Sequence, residues 1–397
     1  MTEGYRRALA LMRRALTPAG FLGSLTDVAN YRRVWARDGV ITGLAALMTD
    51  EADLHEGLAR TLDTLARHQG PHGEIPSNLT EDGEQVSYGG LVGRVDAVLW
   101  YVLGVTQYVL RTGDEGFAAR HRPAIDRALF LVGCWQFNNR GLIYAPVSSD
   151  WADEYVQHGY ALADQVLYLV ALRGCGRVFD SEAHHRQAAQ LREQIETNYW
   201  ADPRHRDHPL LYHPVAYRAL LEDPPPHWLA TFAPTGYARR FDGLANGLAL
   251  LVGLGNGEAA AQVVEYVRSL CAASGSDLLP SFYPPIQPRD PDWEGLRVNY
   301  AYRFSNRPYA YHNGGLWPVL TGFWIAALVA RGYGERAACH LEAIHRANAR
   351  EADGEAWGFY EYHHGRTHRP MGTRHTTWSG AGAVIAHRAL EGHQFLI

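Results

Sequence analysis

The segment 149–155 reads SDWADEY and concentrates groups that could transfer a proton. Its carboxylates, Asp150, Asp153 and Glu154, lie within five positions of one another. Like charges held this close disfavour full ionisation, so at least one of these carboxyls is expected to have a raised pKa. A general acid that works near neutral pH needs that property, and Trp151 could supply an apolar wall with the same effect. The alternative is an acidic helix N-terminus that the helix dipole stabilises.

A further carboxylate, Glu361, stands in an aromatic segment that reads WGFYEYHHG. The segment falls between two predicted helices, and Tyr360 directly precedes the glutamate. A base that activates water beside a sugar ring would sit in such a place. The alternative is a solvated loop glutamate beside aromatic residues of the core.

Two other segments carry groups that could bind hydroxyls. The sequence YRRVWARDG contains Arg37 and Asp38 at the start of a predicted helix, where they could grip a sugar. The alternative for them is a helix cap and a salt bridge. The sequence YAYHNGGLWP offers His312 and Asn313 as donors and acceptors, and its glycines would let a substrate approach the backbone closely. The alternative there is a turn and capping segment.

The composition excludes several classes of chemistry. All 37 basic residues are arginine, so a Schiff-base lysine and a lysine-bearing phosphate loop are absent. The net charge of −5, with no basic cluster interleaved with aromatics, argues against a nucleic-acid partner. The 20 histidines and four cysteines show neither HExxH nor CxxC spacing, so we predict no metal and no cofactor. All four cysteines are expected to be reduced core thiols.

The N-terminal segment predicts the location of the protein. Arginines at positions 6, 7, 13 and 14 interrupt every apolar stretch that could serve as a signal peptide. No part of the sequence approaches the roughly 18 apolar residues of a membrane span. We therefore expect a cytoplasmic protein without a membrane partner.

The elements that must position these groups are helices. Apolar residues recur at spacings of three and four, which predicts about twelve helices. They are expected near 3–16, 38–48, 53–69, 94–112, 116–137, 158–178, 180–199, 239–254, 257–273, 314–331, 334–350 and 375–391. The segments 243–254 and 316–330 are apolar on nearly all sides and suit inner helices, whereas 53–69 and 180–199 are amphipathic and suit outer ones. Paired hairpins of this kind predict an all-α closed double ring of six inner and six outer helices, in one domain over 1–397.

Long non-helical stretches are expected at 70–93, 139–156, 200–238, 275–313 and 351–374. Loops of this length in a compact domain are usually functional. Their richness in Trp, Tyr, His, Asn and Asp suits a polar, aromatic pocket.

In this order, the segments resemble the neutral/alkaline invertases, and more distantly the amylo-1,6-glucosidase part of glycogen-debranching enzymes and the glucoamylases. The resemblance covers most of the chain, from Asn30 to His387. The most specific match is YEYHHG at 360–365 followed by TWSGAG at 377–382. Also similar are YHNGG at 311–315 with the following Trp317-Pro318, the segment 34–38, Ile75-Pro76 with Asn78 nearby, and Val95-Asp96 with Leu99-Trp100.

The resemblance implies an (α/α)6 double-ring helical barrel of the six-hairpin glycosidase type that cleaves a glucoside with inversion. It implies that Asp153 is the general acid and Glu361 the general base, about 6.5–9.5 Å apart so that a water fits between them. The predicted sugar-binding residues are Trp35, Arg37, Asp38, Asn78, Asp96, Trp100, Trp151, His312, Asn313, Trp317, Tyr360 and Trp378.

The sequence around Asp153 differs from that of the invertases, which have Met-Ile-Asp-Arg-Arg there. This chain has WADEY, and the Trp-x-Asp form is closer to the debranching enzymes. We predict a small α-glucoside as substrate, with sucrose first and glucosylglycerate or another gluco-disaccharide next. The carbohydrate is the expected partner, and the sequence leaves room for a homo-oligomer.

Other functions stay open on the sequence. A debranching-type or other α-glucosidase would use the same two carboxylates. A sugar epimerase on a similar barrel would use paired histidines as acid and base, and a phosphorylase would need a phosphate pocket of Arg and His. A carbohydrate-binding protein would keep the aromatics and need neither Asp153 nor Glu361.

Overall fold

The structure is a computed structural model that describes residues 2–351 and 354–396. About half of these residues are helical. The α-helices of the described ranges are α1 (Glu3–Arg14), α2 (Ala36–Leu47), α3 (Ala52–Arg67), α4 (Val95–Thr112), α5 (Glu115–Cys134), α6 (Leu162–Val178), α7 (Glu182–Tyr199), α8 (Pro214–Leu220), α9 (Gly243–Leu251), α10 (Gly257–Ser274), α11 (Trp293–Val298), α12 (Pro318–Ala330), α13 (Ala338–Asn348) and α14 (Thr377–Leu390). Short 3₁₀ helices cover Pro203–His205 and Gly334–Arg336.

The helix-rich fold expected from the apolar spacing is confirmed, and each of the twelve predicted helices is present. Two details differ. The stretches 200–238 and 275–313 were expected to be non-helical, but they contain α8 and α11. Several helices also begin later than expected, because the residues before them pair as strands; α9, for example, begins at Gly243 rather than near 239.

Six helices contact one another in a closed cycle. In this cycle α2 packs on α4, α4 on α6, α6 on α9, α9 on α12, α12 on α14, and α14 on α2. Helices α2, α9 and α12 are buried on almost every side, which their mostly apolar sequences allow; the charged residues of α2, Arg37 and Asp38, lie in its first turn. Other helices pack against members of the cycle: α1 on α14, α3 and α5 on α4, α7 on α6, and α13 on α12. In α3, the buried residues recur at helical spacing on one face.

Short strands fill the stretches between helices. In the described part of the chain they are β1 (Leu16–Thr17), β2 (Gly20–Phe21), β3 (Val34–Trp35), β4 (Asn78–Leu79), β5 (Val86–Ser87), β6 (Tyr160–Ala161), β7 (Thr231–Ala233), β8 (Gly236–Ala238), β9 (Phe241–Asp242), β10 (Phe282–Tyr283), β11 (Tyr362–His363) and β12 (Pro370–Met371). All pairs are antiparallel: β1–β2, β3–β4–β5, β6–β7–β8, β9–β10 and β11–β12. Helices α2, α6 and α9 each begin at the residue after a strand, so the strands fix where these N-termini lie.

One large hydrophobic core extends from α1 to Leu396, and a small satellite cluster lies beneath α8. Cys175 and Cys271 are buried in the core as expected, but the prediction is wrong for Cys134 and Cys339, which are exposed near helix ends. None of the helices in the described ranges combines the length and apolarity needed to cross a lipid bilayer.

Candidate active site

The turn that carries Asp153 is fixed to the N-terminal ends of two helices. The Trp151 indole donates to Asp242 at 3.1 Å, and Asp242 itself caps α9. The first amide of α4, from Val95, donates to the Ser149 carbonyl at 2.8 Å. Asp153 therefore occupies a defined place between α4 and α9, although it belongs to neither helix.

Two arginines surround the Asp153 carboxylate. The Arg37 guanidinium donates to both Asp153 oxygens at 3.3 Å and to Asp96 at 2.7 Å. Arg94 lies 3.4 Å from Asp153 Oδ1. Burial by itself would raise the pKa of Asp153, but Arg94 and Arg37 outweigh it and the pKa is lowered. Asp153 is thus ionised at neutral pH in the free protein.

Glu361 directly precedes the β11–β12 hairpin. Its amide donates to the Thr373 carbonyl at 2.8 Å, and the Thr373 amide donates back to Glu361 Oε2 at 3.2 Å. Gly372, the residue between β12 and Thr373, has a φ of +75°, and a Cβ there would lie 2.2 Å from Glu361 Oε2. A glycine at this position lets the backbone approach the carboxylate.

A tyrosine from the other end of the chain meets Glu361. The Tyr31 hydroxyl lies 3.0 Å from both carboxylate oxygens. Burial raises the pKa of Glu361 to about 8, and the charges of Asp38 and Asp153 add to the rise, while the bonds from Tyr31 and Thr373 oppose it. Near neutral pH, Glu361 therefore holds a proton in the free protein.

Asp38 interacts electrostatically with both Asp153 and Glu361. It is half-buried in the first turn of α2, next to Arg37. Burial raises the pKa of Asp38 to about 7; Arg37 opposes the rise and Asp153 adds to it. Because Asp38 and Asp153 both act on Glu361, all three carboxyls belong to one charge cluster.

Aromatic rings line this cluster. His312 stacks on Trp317 with 5.1 Å between ring centroids and meets the edge of Trp151 at 4.9 Å. Trp317 also stacks on Tyr362 and meets Trp378 edge-on, each at 5.3 Å. Burial lowers the pKa of His312 to about 3, so its imidazole is neutral.

The sequence of the chain matches a model of one known family, described as alkaline and neutral invertase, over residues 17–208 and 220–392. The chain belongs to that family. It is similar to probable alkaline/neutral invertase D of Arabidopsis thaliana, at 24% identity over 98% of this chain and 81% of that protein. It is also similar to cytosolic invertase 1 of Oryza sativa subsp. japonica, at 25% identity over 98% of this chain and 77% of that protein.

The fold of this invertase-family protein is also found among solved structures. A GH63 mannosylglycerate hydrolase from Thermus thermophilus, solved in complex with Tris, superimposes with a TM-score of 0.65. The match covers 96% of this chain and 99% of that one, at 13% sequence identity, so it shows the fold alone. The family membership makes the protein a glycoside hydrolase.

The Asn313 side chain bonds to the backbone of neighbouring loop segments. Its side-chain amide donates to the carbonyls of Ile286 and Asn306 at 2.9 and 3.1 Å, and its oxygen accepts from the Ile286 amide at 2.6 Å. The residue is completely buried. Because backbone groups bond to both ends of its side chain, Asn313 supports the loop beneath His312, and its sugar-binding role stays a prediction.

Trp35 and Asn78 face each other in the β3–β4 pair. Trp35 is half-buried, and its indole donates to the Asn30 carbonyl at 2.9 Å. Asn78 is buried and accepts from Arg33 at 3.2 Å. The pair thus supports the segment that leads from Tyr31 to Arg37, and Trp35 keeps part of its ring exposed.

The contacts of Trp100 and Tyr360 are with residues outside the charge cluster. Trp100 is completely buried within α4 and meets the edge of Phe323 on α12 at 6.3 Å, so it is a core residue of the helix cycle. The Tyr360 hydroxyl donates to the Glu351 carbonyl at 3.3 Å. The Trp100 indole nitrogen has no hydrogen-bond partner among the described residues, and the sugar-binding role of both residues stays a prediction.

The sequence reasoning did not select several residues of the cluster. Tyr31 lies in the segment YRRVWARDG but was given no role, and Arg94 is the first residue of the helix predicted near 94–112. Asp164 is completely buried, and burial, then Asp150, raises its pKa well above the usual range. An aspartate recurs in the first turn of α2, α4 and α6, and that repeat could have indicated Asp164.

Within residues 2–351 and 354–396, no three His, Cys, Asp or Glu side chains are grouped so that they could hold a metal ion. The predicted metal-free reaction stays a prediction that chelation can test.

Proposed function

We propose that the protein is an inverting glycoside hydrolase that uses Asp153 and Glu361 on a small α-glucoside, with sucrose as the first candidate. The observation that carries this proposal is the single charge cluster in which two carboxyls from distant segments act on each other. Arginines contact Asp153 and a tyrosine contacts Glu361, so the two carboxyls differ in proton affinity. Pairs of carboxyls in such unequal environments are the mark of an acid and base pair.

In the proposed reaction, Asp153 gives its proton to the glycosidic oxygen as the bond to the anomeric carbon breaks. Glu361 takes a proton from the water that attacks the opposite face of that carbon. In the free protein the protonation states are the reverse of those that the reaction needs, since Asp153 is ionised and Glu361 is protonated near pH 7. A bound sugar excludes water from Asp153 and disfavours its charged form, so binding would favour transfer of the proton to it.

The remaining side chains have supporting parts in this proposal. Asp38 and Trp35 are half-buried and suited to contact a sugar hydroxyl and a sugar face. Arg37 and Asp96 form a buried ion pair that orients Asp153. His312 offers a neutral ring nitrogen, Nδ1, that has no hydrogen-bond partner among the described residues.

The substrate proposal rests on similarity and on size. The matched relatives are named as invertases, which supports sucrose. The structural neighbour is named as a mannosylglycerate hydrolase, which supports testing glucosylglycerate as the second candidate. A polymer is less favoured, because a binding site for many sugar units usually needs extra loops or a carbohydrate-binding domain.

The proposed architecture is an (α/α)6 barrel in a single domain over 1–397, with the closed helix cycle as its inner ring. The cycle and the continuous core support it. We keep the cytoplasmic location as a proposal, in line with the relative named as cytosolic.

Proton NMR during the first minutes of reaction tests the proposed function. Sucrose, glucosylglycerate, gluco-disaccharides and glycogen are each incubated with the protein, with and without phosphate. We expect β-glucose to appear first from sucrose, independently of phosphate. First release of α-glucose would show retention, for which the carboxyls must lie about 5–5.5 Å apart. Activity only with phosphate would indicate a phosphorylase, and faster cleavage of glycogen would contradict the small substrate.

A further inference from the structure

We propose that Tyr31 is a positioning residue for Glu361 and leaves Oε1 as the oxygen that takes the proton from the attacking water. This inference rests on the base role proposed for Glu361. It goes beyond that role because it assigns separate parts to the two carboxylate oxygens and a part to Tyr31.

The two oxygens of Glu361 have different surroundings. Oε2 accepts from the Thr373 amide at 3.2 Å and lies against Gly372, where even a Cβ would be only 2.2 Å away. The Thr373 amide and Gly372 therefore occupy the protein side of Oε2. Oε1 has the Tyr31 hydroxyl at 3.0 Å as its hydrogen-bond partner among the described residues. Because Tyr31 lies equally close to Oε2 and has one proton, it can donate to Oε2 and leave Oε1 free for water.

The backbone holds Tyr31 in place for this role. The Tyr31 amide donates to the Val28 carbonyl at 3.1 Å, and its carbonyl accepts from the Ser24 amide at 3.1 Å. The Ser24 hydroxyl donates to the Arg374 carbonyl at 2.8 Å. Arg374 directly follows Thr373, which bonds Glu361. The segment that carries Tyr31 is therefore hydrogen-bonded to the segment that contacts the Glu361 carboxylate.

The hydrogen bond from Tyr31 favours the ionised form of Glu361. A hydroxyl that donates to a carboxylate stabilises the ionised form, and the bond from Tyr31 lowers the pKa of Glu361 against the effect of burial. In the described ranges, the titratable groups that face Glu361 are the phenols of Tyr31, Tyr311 and Tyr362 and the carboxylates of Asp38 and Asp153. The charges of Asp38 and Asp153 raise its pKa, so Tyr31 is the side chain that favours the form a base needs.

The test compares Tyr31→Phe with wild type in kcat, KM and the pH dependence of kcat/KM on the best substrate. We expect kcat to fall by roughly 10- to 100-fold, as for loss of a hydrogen bond to a charged group. The acid limb of kcat/KM, which reports the free enzyme, should move to higher pH by about one unit. KM should change little, because the hydroxyl bonds Glu361 rather than the sugar.

Tyr88→Phe is the matched control, since its hydroxyl donates to the His68 carbonyl at 2.8 Å and has no part in the site. A kinetic and pH profile of Tyr31→Phe equal to that of Tyr88→Phe, with Glu361→Gln inactive, would overturn the role of Tyr31 and leave the base in place. Full activity of Glu361→Gln would instead refute the proposed function. Replacing Tyr31 with 3-fluorotyrosine keeps the hydroxyl and makes it a stronger donor. The acid limb of the kcat/KM profile of this variant should therefore move to lower pH, and an acid limb at the wild-type pH would also contradict the inference.

Discussion

Replacing Asp153 by asparagine should slow sucrose cleavage about 100-fold while leaving the fold intact. The substitution keeps the shape of the side chain and removes its proton. Arg37 retains its 2.7 Å ion pair with Asp96, and Arg94 retains its hydrogen bond to the Ser148 carbonyl. Neither arginine is therefore left buried without an acceptor, so the melting temperature should change little.

The size of the effect follows from the two arginines. Loss of a general acid typically costs about 10²–10⁴-fold in rate, which corresponds to roughly 2.7–5.4 kcal/mol of barrier. Arg94 and Arg37 lower the pKa of Asp153, so only a fraction of the wild-type enzyme carries the catalytic proton in the free state. The wild type thus gains less from its acid than a carboxyl of raised pKa would give, and we expect the lower end of the range.

The assay compares sucrose with α-glucosyl fluoride, whose fluoride leaves with little protonation. Asp153→Asn should cleave the fluoride within about 10-fold of the wild-type rate, because this substrate does not need the acid. Glu361→Gln should lose activity on both substrates, because both need an activated water. The reverse pattern, with Glu361→Gln active on the fluoride and Asp153→Asn inactive, would refute the assignment. It would make Glu361 the acid, in agreement with the protonation of the free enzyme.

Three other outcomes are expected. Gly372→Ala should lower kcat strongly by pushing the Glu361 carboxylate aside, whereas Gly113→Ala, at φ +71° with open space around it, should cost only about 1 kcal/mol of unfolding free energy and leave kcat unchanged. The pKa of Glu361 is about 8 when folded, above its ordinary value of 4.5, so folded wild type binds more protons than unfolded between those values and its stability falls as pH rises through that window. Glu361→Gln lacks this titration. In urea unfolding, its free energy of unfolding relative to wild type should therefore rise by a few kcal/mol, in order of magnitude, between pH 5 and pH 8; a constant difference would contradict the raised pKa. Dialysis against EDTA should leave sucrose cleavage unchanged, and loss of activity that one divalent ion restores would contradict the metal-free reaction.

The helices were predictable because their signal is local. Apolar spacing of three and four residues marks the face of a helix whatever lies elsewhere in the chain, and this was sufficient for all twelve long helices. The short strands were missed, since two paired residues such as those of β9 and β10 have no periodicity of their own and form only when distant segments meet. The resemblance to the invertases likewise depended on motifs within short segments, and the family match agrees with it.

The residues around the two carboxyls were only partly predictable. The sequence by itself marked Asp153, Glu361, Arg37 and Asp38, because carboxylates and guanidinium groups are conspicuous beside aromatic residues. It did not show that Tyr31 reaches Glu361 across 330 positions, since that contact depends on how the chain ends pack.

The tertiary structure alone decided which polar side chains remain available and which protons the carboxyls hold. Asn313 stands next to His312 in the sequence, but only the tertiary structure shows that backbone groups bond to both its side-chain amide and its side-chain oxygen. The three clustered acids before α6 predicted a raised pKa, and Asp150 has one at about 7, but that of Asp153 is lowered. Two arginines from other elements reverse the effect there, because the charge state of a buried carboxyl depends on its neighbours in space and not on its neighbours in sequence.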